Sequence, residues 1–145
     1  MNFSFKNKTV LVTGGSKGIG LEISKKFFNN GANVYRTSRK NGKDIVDKKN
    51  GNFIKTICVD FNDQKSFDNF LDLIKHKLKI DILINNAGIN KINNIENIPE
   101  GDWDRIQNVN LKTPFLIIKN VVPKMKAKKF GRIINISSIF SEISR

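Results

Sequence analysis

Cysteine, histidine, tryptophan and tyrosine each occur once in this 145-residue chain, proline occurs three times, and acidic residues are outnumbered 13 to 26 by Lys and Arg. Each shortage excludes something. The single thiol, Cys58, lies in an apolar strand-like run with no second cysteine to pair with. An internal disulfide framework of the secreted kind is thereby excluded, and a reducing compartment fits. His76 stands near a Lys-rich helix end with no Cys, His or carboxylate at ligand spacing, which reads as a surface histidine and no metal site. Long apolar runs are also missing. None approaches the roughly 18 residues that a membrane span requires, and the N-terminus reaches its first apolar run without a signal-peptide core. The expectation is a soluble cytoplasmic protein with no membrane partner.

The shortage of acid leaves a formal net charge of +13, which by itself suggests an anionic partner such as nucleic acid. The excess is nearly all Lys, scattered along the chain, and Asn and Ile are used as heavily. All three have AT-rich codons, so a bias in genome composition accounts for them together, whereas nucleic-acid binding accounts for Lys alone. The phenylalanines do not interleave with a basic stripe, and the basic cluster from Lys124 to Lys129 fits a solvated helix end. No nucleic-acid partner is expected.

Short runs rich in Val and Ile alternate with longer amphipathic ones. The strand candidates are Thr9–Thr13, Asn33–Ser38, Phe53–Asp60, Ile80–Asn85 and Gly131–Ser137. Ile19, Ile23 and Phe27 recur at helical spacing, and Phe67, Phe70, Leu71, Ile74 and Leu78 do so behind Asn62 or Asp63 as N-cap. A third helical stretch starts near Pro99-Glu100 with Trp103, Ile106 and Val109 on its packing side, and Pro114 kinks it or divides it from a continuation through Met125. Residues 40–52, rich in Lys, Asn and Gly, read as a loop with at most a short helix. Strand–helix alternation with near-continuously apolar strands predicts an α/β fold, a doubly wound parallel sheet of about five strands covered on both faces. Residues 1–145 are one domain's worth of chain.

The first strand runs into Thr13-Gly14-Gly15-Ser16-Lys17-Gly18-Ile19-Gly20, directly before a helical pattern. Gly14, Gly18 and Gly20 are spaced G-x-x-x-G-x-G. Gly14 makes the tight exit from the strand, while Gly18 and Gly20 let a phosphate approach a helix start whose free N–H groups favour negative charge. The spacing is not the P-loop pattern, because Leu21 follows Gly20 where a Lys is required.

Four segments, in order, carry a resemblance to the short-chain dehydrogenase/reductase family of the compact, single-domain type: Thr13–Gly20, Asp60 after the third strand, Asn85-Asn86-Ala87-Gly88 after the fourth, and Asn110 with Ser138 further on. The resemblance implies a Rossmann-like dinucleotide domain over 1–145 and an oxidoreductase acting on a small carbonyl or alcohol. The implied cofactor-binding set is Gly14, Ser16, Lys17, Gly18, Ile19 and Gly20 in the turn, Ser38 and Arg39 after the second strand, Asp60 and Phe61, and Asn86, Ala87 and Gly88. Asp60 would accept from the adenine amino group with Phe61 beside the ring, and the small residues would line the adenosine ribose; Asn85 would mainly tie neighbouring strands. An NAD-preferring domain carries an acid at the end of the second strand. Ser38 and Arg39 stand there instead, so Arg39, with Lys17 as second cation, is expected to meet the 2′-phosphate of NADP rather than NAD.

For the chemistry, the resemblance implies Ser138 as the serine that hydrogen-bonds the substrate oxygen. It implies Asn110 as the helix-kink asparagine that holds a water on the proton path. The family's Tyr-x-x-x-Lys pair is absent: the single tyrosine, Tyr35, is in the second strand, and Arg39 stands four residues on. Complete members run to about 250 residues, so the expectation is a chain truncated before that pair, lacking its C-terminal strands. Alone it would be poorly soluble, because the Gly131–Ser137 strand becomes an exposed edge, and catalytically dead. The full-length protein would be a homo-oligomer. A catalytically inert nucleotide-binding module is the rival expectation.

Overall fold

In a computed structural model, residues 4–47 and 51–138 are described. Their sheet has six strands: β1 (Thr9–Val12), β2 (Asn33–Ser38), β3 (Ile45–Val46), β4 (Phe53–Cys58), β5 (Ile82–Asn85) and β6 (Arg132–Asn135). Side by side the order is β3-β4-β2-β1-β5-β6. All pairings are parallel except β3 with β4. Val10, Leu11 and Val12 are each 0% exposed, as a central strand covered on both faces demands.

The sequence reading of about five strands misses β3. Ile45 and Val46 pair antiparallel with Ile54 and Phe53, so the segment taken as loop contributes an edge strand. It is too short to show a period of its own, and it covers what would otherwise be an open edge of β4.

Four α-helices link the strands: α1 (Gly18–Asn29), α2 (Gln64–Asp72), α3 (Glu100–Gln107) and α4 (Thr113–Ala127). Ile23, Phe27 and Phe28 of α1 pack on one face of the sheet, against Val10, Val12, Val34, Ile82 and Ile84. Phe67 and Phe70 of α2 and Ile117, Val121 and Met125 of α4 cover the other face around Leu11 and Leu83. Each such buried side chain contributes about 1.5–3 kcal/mol relative to exposure. Asp63 caps α2 by accepting from the Ser66 N–H at 2.6 Å.

The π-helical turn Leu73–Lys77 has no counterpart in the sequence reading, while the one at Asn108–Lys112 falls at the helix kink expected around Asn110 and Pro114. The second divides α3 from α4, and Pro114 follows it directly in the first turn of α4. Trp103, expected to pack, is 57% exposed.

Crossovers after β1 lead to β2 on one side, and β5 joins β1 on the other. The winding direction therefore reverses between β1 and β5, and beyond their carboxyl ends a crevice opens where folds of this kind bind ligands.

Candidate functional site

The turn after β1 is built by its glycines and fastened by its neighbours. Gly14 has φ +64°, and its N–H donates to Thr37 Oγ1 at 2.9 Å, while the Gly15 N–H donates to the Thr37 carbonyl at 3.1 Å. Thr13 Oγ1 accepts from the N–H groups of Asn86 and Ala87, both at 2.9 Å. The Asn86 amide donates in return to the carbonyls of Thr13 at 3.0 Å and Gly14 at 3.3 Å. The glycine turn and the end of β5 are thus clasped directly together. A Cβ on Gly20 would strike the Asn86 amide nitrogen and the Gly14 carbonyl. Gly18, at φ +53°, has nothing within 4 Å of the Cβ position and faces open space.

Helix α1 starts above this turn without a side-chain cap and without an acid in its first turn. Its first N–H groups and the positive end of its dipole are therefore available to an anion.

One cavity of about 560 Å³ lies against these groups, and the structure brings the whole sequence-derived cofactor set to its walls. Gly14, Ser16, Lys17, Gly18, Ile19 and Gly20 form one side, Ser38 and Arg39 the end of β2, Asp60 and Phe61 the end of β4, and Asn86, Ala87 and Gly88 the end of β5. Lys17, Arg39 and Arg105 face it with Asp60 as the one lining acid. Ile19, at the head of the α1 stripe, is 66% exposed and turned to the cavity rather than the core.

Three details go beyond the sequence reading. Phe61 is 8% exposed, with its ring edge-on to Phe67 at 5.4 Å and Phe70 at 5.9 Å, so it belongs to the core and offers a ligand little of its face. The Asn86 amide is engaged by the glycine turn. Asp60 Oδ1 accepts from the Asn62 N–H at 2.9 Å, a turn contact that leaves its second oxygen for other partners. Thr37, Asn62, Ile89, Arg105 and Val109 also line the cavity and were not singled out from sequence. For Thr37 the signal was present, since strand alternation puts it on the face opposite Arg36, next to Gly14.

Asn110 and Ser138 do not line this cavity. Asn110 lies in the π turn and grips one residue from both sides, Oδ1 accepting from the Ile89 N–H and Nδ2 donating to the Ile89 carbonyl, each at 2.9 Å. Its amide thereby holds the strand of chain that leaves Gly88. Ser138 is exposed beyond the end of β6. Asn85 ties β5 to β6, its Nδ2 donating to Asn135 Oδ1 at 2.8 Å. Tyr35 also stays away from the cavity, edge-on to Phe53 at 5.3 Å, and burial pushes its phenol above the ordinary 10.0.

Residues 8–145 match the family described as short chain dehydrogenase. The chain belongs to the short-chain dehydrogenase family. Among its relatives, the 3-oxoacyl-(acyl-carrier-protein) reductase FabG of Chlamydia pneumoniae is 36% identical over 152 residues, covering 99% of this chain and 60% of that protein. A crystal structure from Beutenbergia cavernae, assigned as an NAD(P)-dependent gluconate 5-dehydrogenase with bound NADP, superposes with a TM-score of 0.86 at 27% identity, covering 100% of this chain and 59% of that one. A 4-hydroxyisoleucine dehydrogenase complexed with NADH gives 0.80 at 28%, covering 96% and 59%. This short-chain dehydrogenase chain thus spans about three-fifths of the length of the proteins it matches. Among the described residues no helix is long and apolar enough to cross a membrane.

Proposed function

We propose that the chain forms the cofactor-binding part of an NADP-dependent oxidoreductase that interconverts a carbonyl compound and a secondary alcohol. The observation that carries this reading is the convergence of the glycine turn and the ends of β2, β4 and β5 on one cavity at the switch point of the sheet. A dinucleotide fits the residues present: an uncapped helix start, a cradle at Gly14 and Gly20 that a Cβ would fill, and an excess of cations on the walls. The similar proteins name three different substrates, so the reading stops at a carbonyl or alcohol.

A bound reduced nicotinamide would supply the hydride to the carbonyl carbon, and the oxygen would take its proton from a general acid. The chain's own residues bind and orient. Gly14, Gly18 and Gly20, with the first N–H groups of α1, take the pyrophosphate, because no side chain stands between it and the backbone donors. Ser38 and Arg39 meet the adenosine ribose, with Arg39 and Lys17 neutralising its 2′-phosphate. The free oxygen of Asp60 accepts from the adenine amino group, Val109 and Phe61 close the apolar side of that pocket, and Ala87 and Gly88 leave room beside the ribose. Ser138 hydrogen-bonds the substrate oxygen. Asn110 is a positioning residue that holds Ile89 at the rim. Tyr35 takes no part, since it lies away from the cavity, edge-on to Phe53.

Titration calorimetry with NADPH and NADH tests the reading. NADPH is expected to bind at least about tenfold more tightly, the scale of one charge-assisted contact, and Arg39→Ala is expected to remove most of that difference. Equal affinities would overturn the NADP assignment; binding of neither would overturn the cofactor site itself.

A further inference from the structure

Arg36 is the anomaly of β2. It is 8% exposed, in a strand whose neighbour on the same face, Val34, is fully buried. None of the ion pairs among the described residues includes it. A guanidinium placed there is costly unless its donors are used well. They are used to cross-link. Nε donates to Thr56 Oγ1 on β4 at 3.0 Å, and Nη2 donates to the Lys43 carbonyl in the segment between β2 and β3 at 3.2 Å.

The same segment is fastened at further points. Asp44 Oδ1 accepts from the Thr56 N–H at 2.9 Å, so both Arg36 and Asp44 converge on Thr56. Gly42 lies so close to Thr56 that a Cβ there would sit 2.7 Å from its hydroxyl. The Arg39 carbonyl accepts from Cys58 Sγ at 3.5 Å, and the Lys40 N–H donates to Ser38 Oγ at 3.2 Å. Arg39 itself, at the head of this segment, is exposed at the cavity wall and engages no carboxylate among the described residues. The backbone that carries the exposed cation is held down, and the group at the centre of the holding is a second, buried cation.

We infer that Arg36 is a positioning residue for cofactor selection: by pinning the 39–44 segment to β4 it aims Arg39 at the 2′-phosphate, and so sets the preference for NADP without touching the cofactor. This rests on the reading of the cavity as an NADP site. A flexible arginine must be immobilised before it pairs with a phosphate, and a backbone already anchored reduces that cost. Lys in place of Arg36 keeps the charge but loses the planar fork that reaches two acceptors at once.

The test is a double-mutant cycle on the protein, with Kd for NADPH and NADH as readouts. Arg36→Met is expected to weaken NADPH about tenfold while leaving NADH within about twofold. In an Arg39→Ala background the same change is expected to add little, because the two residues act through one contact. An unchanged NADPH-to-NADH ratio, an equal loss for both cofactors, or full additivity with Arg39→Ala would overturn the inference. Where Arg36→Met does not fold, Thr56→Val, which removes the acceptor for Nε, is read by the same criteria. A wild-type protein without preference sinks the NADP assignment together with this inference. A selective wild type whose Arg36 and Thr56 variants stay selective sinks only the inference.

Discussion

At the scale of single residues, the glycine turn depends on close approach more than on flexibility. Gly14 combines φ +64° with a Cβ position 3.0 Å from the Ala87 Cα, a backbone neighbour that cannot swing away. Gly14→Ala is therefore expected to destabilise the fold by about 1–3 kcal/mol and to weaken dinucleotide binding, checked by urea unfolding and calorimetry. Tyr35 provides a second residue-scale outcome. Its folded-state pKa is raised by burial, so the folded chain keeps its proton at pH values where the unfolded chain loses it. The contribution is fully present below the ordinary value of 10.0 and is lost as pH rises through the raised one. In urea titrations between pH 9 and 11.5, Tyr35→Phe is expected to lose less stability than the wild type above about pH 10; parallel curves would refute this. Phe61 shows a residue with two settings: it lines the cavity, as the resemblance implied, and it also packs edge-on against Phe67 and Phe70 of α2, which only the structure reveals.

At the scale of elements, Asp63 settles a choice that the sequence left open between it and Asn62. An acid three residues before Ser66, ahead of an amphipathic run, is an N-cap pattern, and Asp63→Ala is expected to cost about 1 kcal/mol, measured as a shift in urea midpoint. The central strands were legible for a similar reason. Val10 to Val12 and Ile82 to Ile84 are apolar without interruption, which suits only a strand covered on both faces. Ile45 and Val46 were not legible, because two residues have no periodicity and their pairing is decided by β4. The break at Asn108–Lys112 was expected, but its π character was hidden. Val109 within it and Thr113 at the start of α4 keep the four-residue spacing of an ordinary helix, and the departure lies in backbone hydrogen bonds. Asn110 could be singled out from sequence, but its grip on both sides of Ile89 depends on that turn.

At the scale of the whole molecule, the two ends of the sheet differ. The β4 end is closed by β3, while β6 is the outermost described strand on the other side, with Ile134 47% and Ile136 41% exposed. Expressed as these 145 residues, the chain is expected to self-associate through β6, and Ile134→Lys is expected to raise the monomer fraction in sedimentation experiments; an unchanged distribution would refute the assignment to this edge. The clasp between Thr13 and the Asn86 and Ala87 N–H groups joins positions 73 and 74 residues apart. Its consequence reaches into protein synthesis. A chain that emerges from the ribosome N-terminus first exposes its glycine turn long before the residues that lock it. Until Ala87 is clear of the exit tunnel the turn lacks its partner, so a nascent chain halted earlier is expected not to be retained on a nucleotide resin, and cofactor capture becomes a late event in the life of the growing polypeptide.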